Sequence, residues 1–138
     1  MTRYLLDTNV LSETRKPLRH GGVTAWLEAQ RQEQLFLPAL VFGEVQNGVE
    51  IARRSAPQRV ASLEFWLGEL ERYPRILAMH AACFGVWARM TNEKSPELAF
   101  DAMIAATAEV HELTVVTRNV RDFNKFGVSL LNPFEYRG

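Results

Sequence analysis

Tyr4-Leu5-Leu6-Asp7-Thr8-Asn9-Val10-Leu11-Ser12-Glu13 sets a carboxylate, Asp7, at the exit of a short apolar strand. Downstream the apolar pattern alternates between short strands and helices. Leu35-Phe36-Leu37, Arg75-Ile76-Leu77, Thr114-Val115-Val116-Thr117 and Val128 to Leu130 read as further strands. Helical spacing runs through Thr24 to Gln32 behind a Gly21-Gly22 break, from Pro38 to about Arg54, and from Val60 to Leu70. It returns from Ala81 to about Met90 and from Leu98 to Val110, with a short turn or helix over Val120 to Phe123. Pro38 suits the first turn of its helix. Strands alternating with helices imply an α/β domain whose central parallel sheet is covered by helices on both faces. In such sheets ligands sit at the carboxyl ends of the strands, where the strand order reverses, so topology places Asp7 at a ligand edge.

The chain of 138 residues is long enough for one real core and too short for two, which predicts one domain over residues 1–138. No apolar run approaches the length of a membrane span. The N-terminus shows no basic region followed by an apolar stretch, and the single Cys83 excludes an internal disulfide, so a reducing cytoplasm is the expected location. Sixteen Lys and Arg balance sixteen Asp and Glu, which counts mildly against a nucleic-acid partner. Basic residues still cluster locally, as Arg15, Lys16 and Arg19, as Arg53, Arg54 and Arg59, and as Arg118 and Arg121. Such clusters serve equally as solvated helix faces or as a phosphate-binding surface.

Two more acids fall on apolar helix faces. Glu44 shares a row with Leu40, Gly48 and Ile51 and is flanked by Val41 and Val45; Asp101 shares one with Leu98, Ile104, Ala105 and Ala108. Each acid alone has an ordinary explanation, Asp7 as a turn residue and Asp101 as a first-turn acid favoured by the helix dipole. Together they need a cation or shared protons, because no basic residue sits on either face. Carboxylates without a His or Cys set suit a hard ion, Mg²⁺ or Mn²⁺. Zinc is not expected, since His20, His80 and His111 show no ligand spacing and read as surface or cap residues. Cys83 and the three tryptophans, Trp26, Trp66 and Trp87, read as core.

A fourth group is expected where Thr117-Arg118-Asn119-Val120-Arg121-Asp122-Phe123 leaves its strand. With this segment, Leu5 to Asn9, Glu44 with Gly48, Asp101 to Ala108 and Asn132-Pro133-Phe134, the chain resembles the PIN-domain nucleases. The likeness is greatest to the VapC-type toxins of toxin–antitoxin pairs and their FitB-like relatives, and it spans nearly the whole chain. The resemblance implies a PIN-like domain and a magnesium- or manganese-dependent endoribonuclease acting on RNA, with tRNA the usual kind of target. It implies inhibition by a small VapB-like antitoxin, and a homodimer or a toxin–antitoxin hetero-oligomer. By that resemblance Asp7, Glu44 and Asp101 form the acidic site, with Asp7 and Asp101 the principal metal ligands, and Asn9 and Thr117 orient it. Many relatives carry a fourth acid where this chain has Asn119, and Asp122 stands three residues on. Asn119 and Asp122 are also a sufficient helix cap and first-turn acid, so the fourth position stays open between them. Arg118 and Arg121 are candidates for substrate phosphates.

Phosphodiester cleavage needs a reactive water and a place for charge building on the phosphoryl oxygens, and a divalent metal supplies both. Glu44 then ligates through water or accepts a proton. The substrate expectation is RNA with an exposed single-stranded segment. The helices near residues 38–54 and 56–72 carry more apolar positions than one side of a sheet needs, which suits a groove for a partner. By resemblance that partner is the antitoxin's C-terminal segment.

Two other readings compete with this one. A haloacid-dehalogenase-like phosphohydrolase also ends its first strand in Asp but wants a second Asp where this chain has Asn9. A non-catalytic PIN-like binding or regulatory module is favoured by Asn119 alone.

Overall fold

The computed structural model describes residues 1–138 and contains five strands, β1 (Tyr4–Leu6), β2 (Leu35–Pro38), β3 (Ile76–Leu77), β4 (Thr114–Val116) and β5 (Leu130–Leu131). Every pairing is parallel and the order is β3-β2-β1-β4-β5. Seven helices cover the sheet: α1 (Thr8–Leu11), α2 (Gly21–Ala29), α3 (Leu40–Ser55), α4 (Val60–Glu71), α5 (Ala81–Thr91), α6 (Ala99–His111) and α7 (Val120–Phe123). The strand order turns back between β1 and β4, so the ends of these two strands frame the crevice where such sheets bind ligands.

Period-two alternation sends neighbouring strand residues into separate cores. Leu6, Leu37 and Val116 join Trp26, Val41 and Leu67 on the face covered by α1 to α4. Leu5 and Val115 join Ile104, Ala105 and Phe123 on the face covered by α5 to α7. The second core depends on small residues: Ala102, Ala105 and Ala108 are fully buried and let α6 lie close to the sheet.

Three boundaries and one buried face differ from the sequence reading, each for a local reason. Pro38 closes β2 instead of opening a helix. Leu37 and Ala39 donate their N–H groups to β3 and its flank, so the missing donor of Pro38 falls on the side where pairing with β1 has already ended. Gly21 and Gly22 begin α2 rather than precede it, because the His20 ring accepts from the N–H groups of Gly22 and Val23. A Cβ on Gly22 would sit 3.1 Å from the carbonyl oxygens of Pro133 and Tyr136, which explains the glycine. The last strand lies one step later than expected, after a turn that needs Gly127 at φ 69°. Finally, α4 buries one side only: Leu63 and Leu67 are inside, whereas Phe65 is 72% exposed.

Candidate active site

Asp7 is held by its own strand end. Its N–H continues the ladder to Val116, its carbonyl receives Val10 and Leu11 as α1 begins, and its side chain is buried. Three donors reach the carboxylate: the Thr8 N–H at 2.7 Å on Oδ1, and the Thr117 hydroxyl at 2.7 Å and Asn9 Nδ2 at 3.1 Å on Oδ2. Thr117, at the carboxyl end of β4, is fully buried, and its oxygen also accepts from the Asn119 N–H. Asn9 closes the ring by accepting from the Arg118 N–H. Asn9 and Thr117 therefore fix one carboxylate in one orientation, and that orientation ties the ends of β1 and β4 together.

Glu44 and Asp101 stand at the borders of their helices' apolar stripes, not inside them. The buried row of α3 is Val41, Val45, Val49 and Ala52, and Ile51, expected beside Glu44 on an inward row, is exposed. Both acids are half-buried; Glu44 lines an open pocket with Thr8, and Asp101 lies near enough to Asp7, Asp122 and Glu44 for their charges to act on it. Glu44 Oε1 accepts from the Thr8 hydroxyl at 2.8 Å, which links α3 to the first turn after Asp7. Thr8 thereby joins the candidate site, and its position between Asp7 and Asn9 is the one sequence signal that points to it.

The electrostatics converge on the same point. Burial raises the Asp7 carboxyl above its ordinary range against the pull of its three hydrogen bonds. Burial likewise raises Glu44, and the charge of Asp7 adds to it. Asp101 is pushed up to about 6, first by burial and then by the charges of Asp7, Asp122 and Glu44. None of the three acids has an ion-pair partner. Glu13 is the contrast: equally buried and not singled out from sequence, it is bonded to Lys16, which holds its carboxyl below the ordinary range.

Asp122 lies close enough to act on Asp101 while keeping a loose pair with Lys125 at 3.8 Å. Asn119 takes the N-cap position of α7 but makes no side-chain cap bond, so the cap expected of it is absent. Arg118 stacks on the Phe134 ring at 3.8 Å and Arg121 is exposed on α7. Of the other basic clusters, Arg53 is committed to Glu50 and Glu64. Arg15 lies over Trp66, which packs against the first core as expected and also lines a groove with its open side. The oxygen-only donor set, with its uncompensated negative charge, fits a hard divalent cation.

Acids gathered at the switch point of a five-stranded parallel sheet make this an α/β protein with a candidate site at its strand ends. The chain belongs to the PIN-domain family, whose pattern matches residues 4–128. It is 31% identical to toxin FitB of Neisseria gonorrhoeae across 94% of this chain and 97% of that protein. It is 33% identical to the VapC ribonuclease Y4jK of Sinorhizobium fredii across 95% and 97% of the two. The crystal structure of FitAcB from Neisseria gonorrhoeae superposes with a TM-score of 0.78 at 31% identity, covering 96% of this chain and 99% of that one. The chain is thus a member of the VapC and FitB toxin group of PIN proteins. No helix is long and apolar enough to cross a membrane.

Proposed function

We propose that this chain is a Mg²⁺- or Mn²⁺-dependent endoribonuclease toxin that cleaves RNA at the Asp7, Glu44 and Asp101 cleft and is restrained by an antitoxin. The observation that carries the reading is the gathering of Asp7, Glu44 and Asp101 with no ion-pair partner on any of them, Asp101 being raised by burial and then by the charges of Asp7, Asp122 and Glu44. Asp7 and Asp101 would hold the ion, and Asp122 supplies the fourth charge that Asn119 lacks. When bound, the ion activates water and neutralises charge on the phosphoryl oxygens. Glu44, half-exposed and with a raised pKa, is suited to take the proton released by the attacking water. Asn9 and Thr117 keep the Asp7 oxygens from rotating, and Arg121 is free to meet a substrate phosphate.

Purified chain with Mg²⁺ should cut single-stranded RNA internally, and chelation should abolish the cutting. Metal-independent cleavage, or none from active-site-intact protein, would count against the proposal. Thr117→Val keeps the shape of the buried side chain but removes the donor to Asp7. Cleavage should fall by about 10- to 100-fold with little loss of stability, measured under single-turnover conditions.

The restraint has a candidate seat in an open groove of about 880 Å³ where Arg15, Arg19, Phe65, Trp66, Leu70 and Tyr73 come together. Its apolar floor and basic rim suit an amphipathic, acidic-flanked peptide segment of the antitoxin. Phe65→Asp should weaken antitoxin binding by about 30-fold or more, as removal of a central aromatic anchor does, when titrated by calorimetry against the wild-type chain. Unchanged affinity would move the contact elsewhere.

A further inference from the structure

His80, Cys83 and His111 are distant in sequence but meet where the start of α5 lies beside the end of α6. Each can present one ligand atom with all three atoms within 4.8 Å of one another. His80 Nε2 is 3.8 Å from Cys83 Sγ, and the two imidazoles stand edge to face with centroids 5.5 Å apart. In a tetrahedral zinc site with ordinary bond lengths, ligand atoms are about 3.3–3.6 Å apart, so the three atoms need to close by at most about 1.5 Å. The expectation that the histidines are unrelated fails here, because chain spacing does not report a contact between helix ends.

A second observation is independent of that proximity. His111 Nε2 is buried and has no hydrogen-bond partner, and it is the one buried side-chain nitrogen or oxygen of which this is true. Leaving such an atom unpaired costs about 1–3 kcal/mol, and native interiors seldom tolerate it. His80 holds the N-cap position of α5 yet its ring makes no cap bond, so its nitrogens are also uncommitted to the backbone. Cys83 is fully buried in the first turn of the same helix, so its sulfur is held in place beside the two rings. Arg3 lies close by: its guanidinium bonds the His111 carbonyl at 2.8 Å and sits over Phe36.

We infer that His80, Cys83 and His111 form a second metal site, selective for a thiophilic divalent ion such as Zn²⁺, with its fourth position open to water on the His80 side. Its ligand set is one sulfur and two nitrogens, unlike the oxygen-only cleft. It lies at the far end of α6 from Asp101, about 15 Å along the helix. An ion there pins α5 to the helix that carries a cleft acid, so the site is a structural clamp on the catalytic scaffold.

Co²⁺ added to the full chain in excess Mg²⁺ should bind one equivalent. The expected signature is a near-ultraviolet thiolate charge-transfer band with intense tetrahedral visible bands, both bleached by Zn²⁺. Cys83→Ser should remove the near-ultraviolet band, and His80→Ala, a change at an exposed residue that spares the fold, should weaken Zn²⁺ binding by about 10-fold or more. Zn²⁺ should raise the melting temperature of the wild-type chain and not that of His80→Ala. A weak octahedral Co²⁺ spectrum, a missing thiolate band, or equal Zn²⁺ affinity in wild type and His80→Ala would each overturn the site.

Discussion

Asp7→Asn is expected to leave the chain folded and to lower RNA cleavage by roughly 10³-fold, about 4 kcal/mol of transition-state stabilisation. The size follows from where Asp7 sits. It is the buried acid of the cleft, held by Thr8, Asn9 and Thr117 in one orientation at the strand end. An asparagine keeps the shape and one acceptor oxygen, and Thr8 can still donate to it. The amide nitrogen then faces Thr117 and Asn9, which costs a hydrogen bond but no core contact. Circular dichroism and thermal unfolding should therefore report a native fold beside the lost activity. Full activity in this variant would remove Asp7 from the mechanism.

Asp101→Asn is expected to invert the usual relation between an active-site change and stability. In metal-free protein the folded state holds the Asp101 proton more tightly than the unfolded state does, with a folded value of about 6 against 3.8. Between those values the folded state binds more protons. Its contribution is fully present below about pH 4 and is lost as the pH rises through 6. At pH 7 the metal-free wild type carries the repulsion among Asp101, Asp7, Asp122 and Glu44, and the variant does not. The variant should melt about 2–4 °C higher without metal, a modest figure because the group is half-exposed and solvent screens it. Mg²⁺ should then stabilise the wild type by mass action and leave the variant unmoved. A variant that melts lower than wild type in chelator would show that Asp101 is a structural acid.

The same raised values predict how activity depends on pH. Proton and metal compete for one set of oxygens, so cleavage at limiting Mg²⁺ should rise through about pH 6 and approach a plateau above it. Saturating Mg²⁺ should shift that rise to lower pH.

Much of this architecture could be read from local pattern. The β1 stretch, the strand and helix alternation and the helical rows around Glu44 and Asp101 are short-range signals, and topology alone carries Asp7 to the switch point. The features that sequence left hidden are contacts between distant segments. Thr8 bridging to Glu44 and His80 facing His111 depend on how elements pack, which periodicity does not encode. Helical rows also overstate burial at their edges. Glu44 and Ile51 lie on a row that looks apolar in sequence but borders a cleft, and Phe65 lies on a side of α4 that no other helix covers. Those departures fall at the acidic cleft and the groove, the two places where the proposed function needs open surface.

The central claim is that carboxylates from β1, α3 and α6 jointly retain one kind of divalent ion. Titrating Mn²⁺ into wild type, Asp7→Asn and Asp101→Asn by calorimetry at pH 7 tests it most directly. Saturable binding in wild type that weakens by about 10-fold or more in each variant is the predicted result. Equal Mn²⁺ affinity in all three proteins would contradict it.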